Sequence, residues 1–340
     1  KTDTLLTQLP YSDTGIDFIN EVKNGEDMNI FKYRKFYNGG GVAIGDINND
    51  GLSDVYFTSN LGKNKLYLNK GNFKFEDISV KAGVEGQKVW STGVVMVDIN
   101  ADGLLDIYVC NAGNSKGSQQ NNELFINNGN LTFTEKAEEY NLADTGITTH
   151  AAFFDYDKDG DLDVYILNNS FIPVSSLNYS NKRELRDKDW DVADILKGGG
   201  DKLLRNDNGK FVDVSEAAGI YGSLIGFGLG VTVGDVNGDL FPDIYISNDF
   251  YERDYLYINN KNGTFSEKIQ DWTMHLSQSS MGADMADVNN DGKADIFVTD
   301  MLPEPDDRLK TTTNFENYDL FTRKLNLDFY TQFMQNTLQL

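Results

Sequence analysis

Aspartate recurs in this 340-residue chain at a spacing that chemistry can use. The segments DINNDGLSD (46–54), DINADGLLD (98–106), DYDKDGDLD (155–163), DVNGDLFPD (235–243) and DVNNDGKAD (287–295) share one nine-residue pattern. Each has Asp at position 1, Asn or Asp at 3, and Asp at 5 and 9. In a tight turn, positions 1, 3 and 5 project oxygens toward one point. Position 7 offers a main-chain carbonyl, and the Asp at 9 returns from the next strand. Oxygen-only ligands in a flexible loop suit Ca²⁺, which takes about six to eight of them, whereas softer metals select His or Cys.

The expected ligand sets are therefore five. They are Asp46, Asn48, Asp50 and Asp54; Asp98, Asn100, Asp102 and Asp106; Asp155, Asp157, Asp159 and Asp163; Asp235, Asn237, Asp239 and Asp243; and Asp287, Asn289, Asp291 and Asp295. The 235–243 loop fits least well, because Leu240 stands where the other four have the glycine that eases a sharp turn. A metal-free reading exists, since Asp, Asn and Gly dominate turns in any case. Against it, carboxylates crowded ~4 Å apart repel by about 4 kcal/mol per pair at an effective dielectric of ~20, which a cation relieves. An EF-hand is excluded. Its position 12 must be a bidentate Glu between helices, and here that position is Phe57, Val109, Ile166, Ile246 or Val298.

The elements that must hold these loops are legible on either side. Small and apolar runs precede them (GGGVAIG, STGVVMV, HAAFF, GLGVTVG, MGADMA), and alternating runs follow (VYFTSN, IYVCNA, VYILNN, IYISND, IFVTD). Period-two alternation with β-branched enrichment predicts strands. A third strand follows in NKLYLN, NELFIN, DKLLRN and DYLYIN, and a fourth opens at GNFKF, GNLTF, NGKF and NGTF. The loop starts lie 52, 57, 80 and 52 residues apart. Four short antiparallel strands per period of about 50 residues predict an all-β chain, a β-propeller of four-stranded blades.

Two stretches break the period, 169–200 with a helix expected over ELRDKDWDVADIL, and 301–335 with a polar, proline-containing start. Both are expected to be partner-facing decorations, because long loops on a rigid scaffold carry recognition. Residues 37–340 are then the propeller, ending inside a blade. The expectation is that the polypeptide continues, or that the 1–36 segment supplies the missing strand and closes the ring.

The pattern D-x-[DN]-x-D-G-x-x-D between strands, followed by N-x-L-x-x-N and G-x-F, resembles the FG-GAP/VCBS calcium-loop repeats of integrin alpha-subunit propellers and many secreted bacterial proteins. YNGGGVAIGDINNDGLSDVYFTSN (37–60), KAGV (81–84), AAGI (217–220) and FMQNTLQL (333–340) look closer to the ASPIC/UnbV-type bacterial branch. The resemblance covers about 37–340. It implies a calcium-binding propeller, seven blades in a full ring with about five visible here, and a secreted or cell-surface setting. It also implies roles such as those of bacterial lipoproteins near outer-membrane glycan and nutrient uptake or assembly complexes. It implies neither a ligand nor an activity.

Composition narrows the function. Fifty-three acidic against 30 basic side chains give a formal charge of −23, which repels polyanions and excludes nucleic acid. The loops hold 17 of those acids, so five divalent ions would bring the charge to −13. No apolar run approaches the ~18 residues of a membrane span, and the first ten residues carry no signal-peptide pattern. The single cysteine, Cys110, leaves internal stapling to metal.

No nucleophile elbow, P-loop or HExxH occurs, and the two histidines are His150 and His275. His150 stands where the other repeats have Gly41, Gly93, Gly230 and Gly282, at the start of the strand expected nearest the axis. Three residues before that register lie Trp90 and Phe227. Trp90, His150 and Phe227 are candidates for a shallow aromatic pocket that takes a glycan or peptide; the competing role is packing between blades. Asp249, Glu252 and Asp254 in NDFYERD read as a solvated loop with Arg253 pairing locally. The expected function is a non-catalytic extracellular binding or scaffolding module. A propeller-based polysaccharide lyase or hydrolase is the alternative.

Overall fold

Apolar residues at period two on both sides of each nonapeptide pair as antiparallel strands, because burying one side chain in two forces the loop between them to turn tightly. The structure, a computed structural model, describes residues 6–113, 120–172, 186–192, 199–249, 252–312, 318–327 and 329–340. Two compact units divide the chain, Lys1–Asp144 and Thr145–Leu340.

The first unit opens with α1 (Tyr11–Thr14) and holds two four-stranded sheets. The first sheet runs β1 (Val42–Gly45), β2 (Asp54–Phe57), β3 (Lys65–Asn69), β4 (Phe75–Asp77), followed by α2 (Ser79–Ala82). The second runs β5 (Ser91–Val97), β6 (Asp106–Asn111), β7 (Glu123–Asn127), β8 (Phe133–Glu135), followed by α3 (Ala137–Tyr140).

The second unit repeats the plan. Its sheets are β9 (Ile147–Phe154), β10 (Asp163–Asn169), β11 (Lys202–Asn206), β12 (Phe211–Asp213) with α4 (Ser215–Ala218), then β13 (Gly228–Gly234), β14 (Asp243–Asn248), β15 (Tyr255–Asn259), β16 (Phe265–Glu267) with α5 (Ile269–Trp272). After β17 (Leu276–Ser277) the fifth sheet has β18 (Gly282–Ala286) and β19 (Asp295–Thr299). The chain then passes α6 (Asp306–Thr312), α7 (Tyr318–Leu325) and β20 (Gln332–Phe333) before β21 (Thr337–Gln339) completes three strands among the described residues. All neighbours within these five sheets are antiparallel and in sequence order, and β17 pairs with β20 in parallel. The all-β reading and the four-strand repeat stand.

Consecutive sheets of a unit share apolar cores. Tyr56 and Leu66 of the first sheet meet Ile107, Val109 and Phe125 of the second. Tyr165 and Leu203 meet Ile244, Ile246 and Tyr257, and Tyr245 and Leu256 meet Ile296 and Val298. Three of the short helices reach into these seams: Ala82 at the end of α2 with Val84 beyond it, Ala218 at the end of α4 with Ile220 beyond it, and Ile269 at the start of α5.

Residues 11–20 lie against the first sheet. Phe18 stacks on Phe57 with ring centroids 4.9 Å apart, and Tyr67 Oη donates to Asp17 Oδ1 at 2.8 Å. Gly15 sits against the carbonyl of Phe75 as Gly219 sits against that of Phe265: an added Cβ would lie 2.6 and 2.7 Å from the respective oxygens. The 11–16 turn thus occupies on the first sheet the place that the 215–220 turn occupies on the fourth.

Two expectations change. The described part of ELRDKDWDVADIL forms a 3₁₀ turn, Asp187–Asp189, in place of an α-helix; 184–185 and 193–196 lie outside the described residues. The charged end of NDFYERD, expected to be solvated, is not; 250–251 lie outside the described residues. Glu252, Arg253 and Asp254 are buried, and Arg253 Nη2 donates to the equally buried Glu267 Oε2 at 3.0 Å. Described parts of the two insertions meet in one cluster: Ile172 and Trp190 of the first and Phe329 of the second pack with Leu224, Ile225 and Phe227.

Candidate metal centres

The five nonapeptides adopt one backbone. Position 4 is left-handed in all of them (Asn49 φ 57°, Ala101 57°, Lys158 65°, Gly238 74°, Asn290 61°), and so is position 6 (Gly51 83°, Gly103 85°, Gly160 101°, Leu240 70°, Gly292 84°). The carboxylate at position 1 drives this curl by accepting two main-chain N–H bonds. Asp46 accepts from Asp50 at 3.2 Å and Gly51 at 2.7 Å, Asp98 from Asp102 at 3.0 Å and Gly103 at 2.8 Å, and Asp155 from Asp159 and Gly160 at 3.1 Å each. Asp235 and Asp287 do the same with Asp239 and Leu240, and with Asp291 and Gly292. Leu240 therefore keeps the geometry of the glycine it replaces, in a conformation L-residues resist.

Position 9 has a different place. Asp54, Asp106, Asp163, Asp243 and Asp295 are buried. One oxygen of each accepts the N–H of position 2: Ile47, Ile99, Tyr156, Val236 and Val288 at 3.0–3.2 Å. In four loops the other oxygen accepts an N–H from the last Asn of the third strand: Asn69, Asn127, Asn206 and Asn259 at 2.7–2.9 Å. Asp295 Oδ1 has no such partner among the described residues. Burial pushes the Asp54 carboxyl up, those of Asp106 and Asp243 to about 6, and that of Asp163 to about 7. Each oxygen keeps one lone pair beyond its N–H bond, and that is what position 9 offers a cation.

At position 3, Asn48 and Asn100 turn their amides onto the position-5 carboxylates, with Nδ2 donating to Asp50 Oδ2 at 3.0 Å and Asp102 Oδ2 at 2.9 Å. The third loop has Asp157 instead, and carboxylate oxygens of Asp155, Asp157 and Asp159 lie within 4.8 Å of one another. Asp157 Oδ1 and Asp161 Oδ1 are buried there without a hydrogen-bond partner among the described residues. Burial and then neighbouring carboxylates raise the pKa of both. Converging hard oxygens with unused lone pairs fit a divalent cation of the calcium type, and residues 155–163 fit it best. In the fourth loop Lys261 Nζ approaches Asp239 Oδ2 at 3.3 Å, placing a side-chain cation beside the ligand set.

Two of the three aromatic-pocket candidates are packed within their own units. Trp90 is buried between Tyr33 and Phe36 (centroids 4.8 and 5.6 Å) in the first unit, and Phe227 is buried in the cluster shared by the insertions in the second. Packing is the role both display. His150 pairs with Leu167 across β9 and β10; its Nδ1 is buried without a partner among the described residues, and burial lowers its pKa.

Sequence reasoning treated N-x-L-x-x-N as a strand pattern and missed what its ends do. The last Asn clamps position 9, as above. The first residue caps the end of the second strand: Asn64, Asn122, Asp201, Asp254 and Asn336 accept the main-chain N–H of Ser59, Asn111, Asn168, Asn248 and Asp300 at 2.7–2.8 Å. The recurrence of Asn or Asp flanking a strand was the available signal.

The FG-GAP-like repeat pattern matches residues 29–109, 111–166 and 235–298, more than half of the chain. Cartilage acidic protein 1 from Xenopus tropicalis is 34% identical over 137 residues, covering 39% of this chain and 20% of that protein. The Homo sapiens protein of the same name is 30% identical over 145 residues, covering 42% and 21%. The chain spans about one fifth of the length of these relatives. Among solved structures, an Agrocybe aegerita lectin that recognises non-reducing terminal N-acetylglucosamine overlays 75% of this chain and 60% of its own, at TM-score 0.44 and 18% identity. The V. cholerae biofilm matrix protein Bap1 overlays 76% and 34%, at 0.37 and 14%. No described helix is long and apolar enough to cross a membrane. All five nonapeptides fall inside the matched stretches, and the chain belongs to the FG-GAP-like repeat family.

Proposed function

We propose that this chain is a calcium-stabilised β-propeller segment of a binding or scaffolding protein that works outside the cell or at its surface, without chemistry of its own. One observation carries the reading: the Asp155, Asp157 and Asp159 carboxylates converge within 4.8 Å beside two buried carboxylate oxygens that lack partners among the described residues. Position 1, 3, 5 and 9 side chains with the position-7 carbonyl would hold the ion in each of five loops. When bound, calcium supplies charge neutralisation and a cross-link between the loop and the following strand. Binding to the native state alone stabilises it by about 2.7 kcal/mol per site when calcium is ~100 times its dissociation constant. Sites of this exposed, flexible kind suit extracellular calcium levels.

The four-stranded sheets with inward-stacking seams support a propeller whose blades they are, and the 11–20 segment, lying where a linker turn of a preceding blade belongs, supports a ring-closing role for residues 1–36. The ligand is a glycan or protein, and an outer-membrane uptake or assembly complex is one setting for it. Isothermal titration of the apo chain with Ca²⁺ and Mg²⁺, beside calorimetric melting in excess EDTA, tests the calcium claim. An unchanged melting temperature in EDTA sinks it. Asp157→Asn, which gives the third loop the residue found in the other four, is expected to weaken its calcium binding by about tenfold without unfolding the chain. Glycan-array binding set against pull-down of membrane partners separates the ligand classes.

A further inference from the structure

The position-9 carboxylates of consecutive loops are joined by an unbroken chain of hydrogen bonds. In the first unit Asp54 Oδ2 accepts the N–H of Ile47 at 3.0 Å, and the carbonyl of that same Ile47 accepts Nδ2–H of Asn127 at 2.8 Å. The main-chain N–H of Asn127 in turn donates to Asp106 Oδ1 at 2.8 Å. Two residues therefore stand between a ligand of the 46–54 loop and a ligand of the 98–106 loop. In the second unit Tyr156 and Asn259 make the same connection from Asp163 to Asp243, at 3.1, 2.8 and 2.8 Å. Every member of both chains is buried, which keeps water from substituting for a link.

A second contact runs beside each chain, from position 4 of the earlier loop to position 6 or 7 of the later one. Asn49 Nδ2 donates at 2.9 Å to the carbonyl of Gly103, whose own N–H is held by Asp98 Oδ2 at 2.8 Å. Lys158 Nζ lies 5.5 Å from the centroid of the Phe241 ring, which Lys261, the partner of Asp239, approaches to 5.6 Å. Asn69 differs from Asn127 and Asn259: its Nδ2 donates to Ser53, inside the loop of its own sheet.

We propose that Asn127 and Asn259 each position two metal sites at once, so that loops 46–54 and 98–106, and loops 155–163 and 235–243, take up calcium with positive cooperativity. The proposal rests on the calcium reading given above. An Asp54 held by ligation fixes the main chain at Ile47, whose carbonyl seats the Asn127 side chain, whose N–H orients Asp106 before its own loop fills. Ordering accomplished at one loop is not repeated at the other, and that saving is the coupling. Charge alone gives the opposite sign, because two divalent ions in neighbouring loops repel. The sign of the coupling therefore separates the hydrogen-bonded chain from electrostatics.

A Ca²⁺ titration of the 340-residue chain labelled with ¹⁵N-glycine tests it, the Gly51 and Gly103 amides reporting the two loops of the first unit separately. Both signals are expected to move over one calcium range with a Hill slope above ~1. Asp102→Ala, which removes a carboxylate from the 98–106 loop alone, is expected to raise the Gly51 midpoint by about fivefold. Asp50→Ala is expected to raise the Gly103 midpoint by a similar factor, because coupling is reciprocal. Asn127→Ala keeps the main-chain N–H that serves Asp106 and loses only the side-chain link. In that background Asp102→Ala is expected to leave Gly51 where it is. Asn49→Gly cuts the second contact at an exposed residue whose left-handed backbone suits glycine, so the fold is kept, and it is expected to weaken the coupling. Asn69→Ala is expected to leave the coupling whole. A Gly51 midpoint that ignores Asp102→Ala or falls with it overturns the proposal while calcium binding stands. So does a shift that persists undiminished in both Asn127→Ala and Asn49→Gly. Glycine signals that never respond to Ca²⁺ sink the calcium reading and this proposal with it.

Discussion

Asn127, the last residue of β7 in the second sheet, donates its Nδ2–H at 2.8 Å to the main-chain carbonyl of Ile47, inside the nonapeptide loop of the first sheet. Asn259 makes the same bond to Tyr156 at 2.8 Å in the second unit. One residue therefore holds the loop of its own sheet, its main-chain N–H donating to Asp106 or Asp243, and with its side chain ties it to the loop of the sheet before. Asn127→Ala removes a buried donor shared by Ile47 and Leu105 carbonyls and is expected to cost about 2–3 kcal/mol. Asn69→Ala, whose Nδ2 serves the carbonyl of Ser53 at a more open site, is expected to cost about 1 kcal/mol in the same urea titration.

Leu240 holds φ at 70° and is 77% exposed, so it is strained without burying anything in return. Leu240→Gly is expected to raise stability by about 1 kcal/mol, less the entropy glycine adds to the unfolded chain. A lowered melting temperature for this variant would mean that the loop backbone is not the one found in the other four.

Asp201 offers a pH test with its control inside the same protein. Burial raises its carboxyl to about 7, while it accepts from Asn168 N–H and Tyr165 Oη. A carboxyl raised above its unfolded value of about 3.9 binds its proton more tightly in the native state. Stability from this group is thus greatest at low pH and falls as pH rises from about 4 to 7, by at most ~1.4 kcal/mol per unit. Asp201→Asn is expected to remove that slope, leaving stability at pH 4 unchanged and raising it at pH 8. Asn122 shows how the amide fits: it accepts from Asn111 N–H at 2.8 Å and donates to Tyr108 Oη at 2.9 Å. Denaturant titrations at pH 4.5 and about 8 decide the matter.

Helices α1 to α4 close on left-handed residues (Gly15, Gly83, Asn141 and Gly219), but the surrounding space differs. A Cβ on Gly219 would meet the Phe265 oxygen at 2.7 Å, and one on Gly83 would stay 3.7 Å from that of Phe133. Gly219→Ala is expected to cost about 2–3 kcal/mol and Gly83→Ala about 1 kcal/mol. Equal melting temperatures for the two variants would refute the close approach.

The repeat, its strands and the acidic loops were readable because each depends on residues within a few positions of one another. Period-two burial sets the strand, and Asp at position 1 curls the loop by reaching N–H groups four and five residues ahead. Leu240 marks where that reasoning needed the backbone: a glycine-for-leucine exchange warns of strain, and only the structure shows the loop formed regardless.

What the sequence by itself determined is this local grammar: an all-β chain of four-strand repeats, each carrying an oxygen-rich turn. What tertiary structure alone decided concerns groups far apart in the chain. Burial of Glu252, Arg253 and Asp254 depends on Glu267 and on neighbouring strands, and charge in a sequence is otherwise read as exposure. Trp90 and Phe227 became packing residues because Tyr33, Phe36, Trp190 and Phe329 arrive from distant segments. The acidity met first as a repeating motif gained a second role in the same way. Position 9 clamps two strands through main-chain N–H groups, and no spacing along one nonapeptide encodes the asparagine that comes from another strand to meet it.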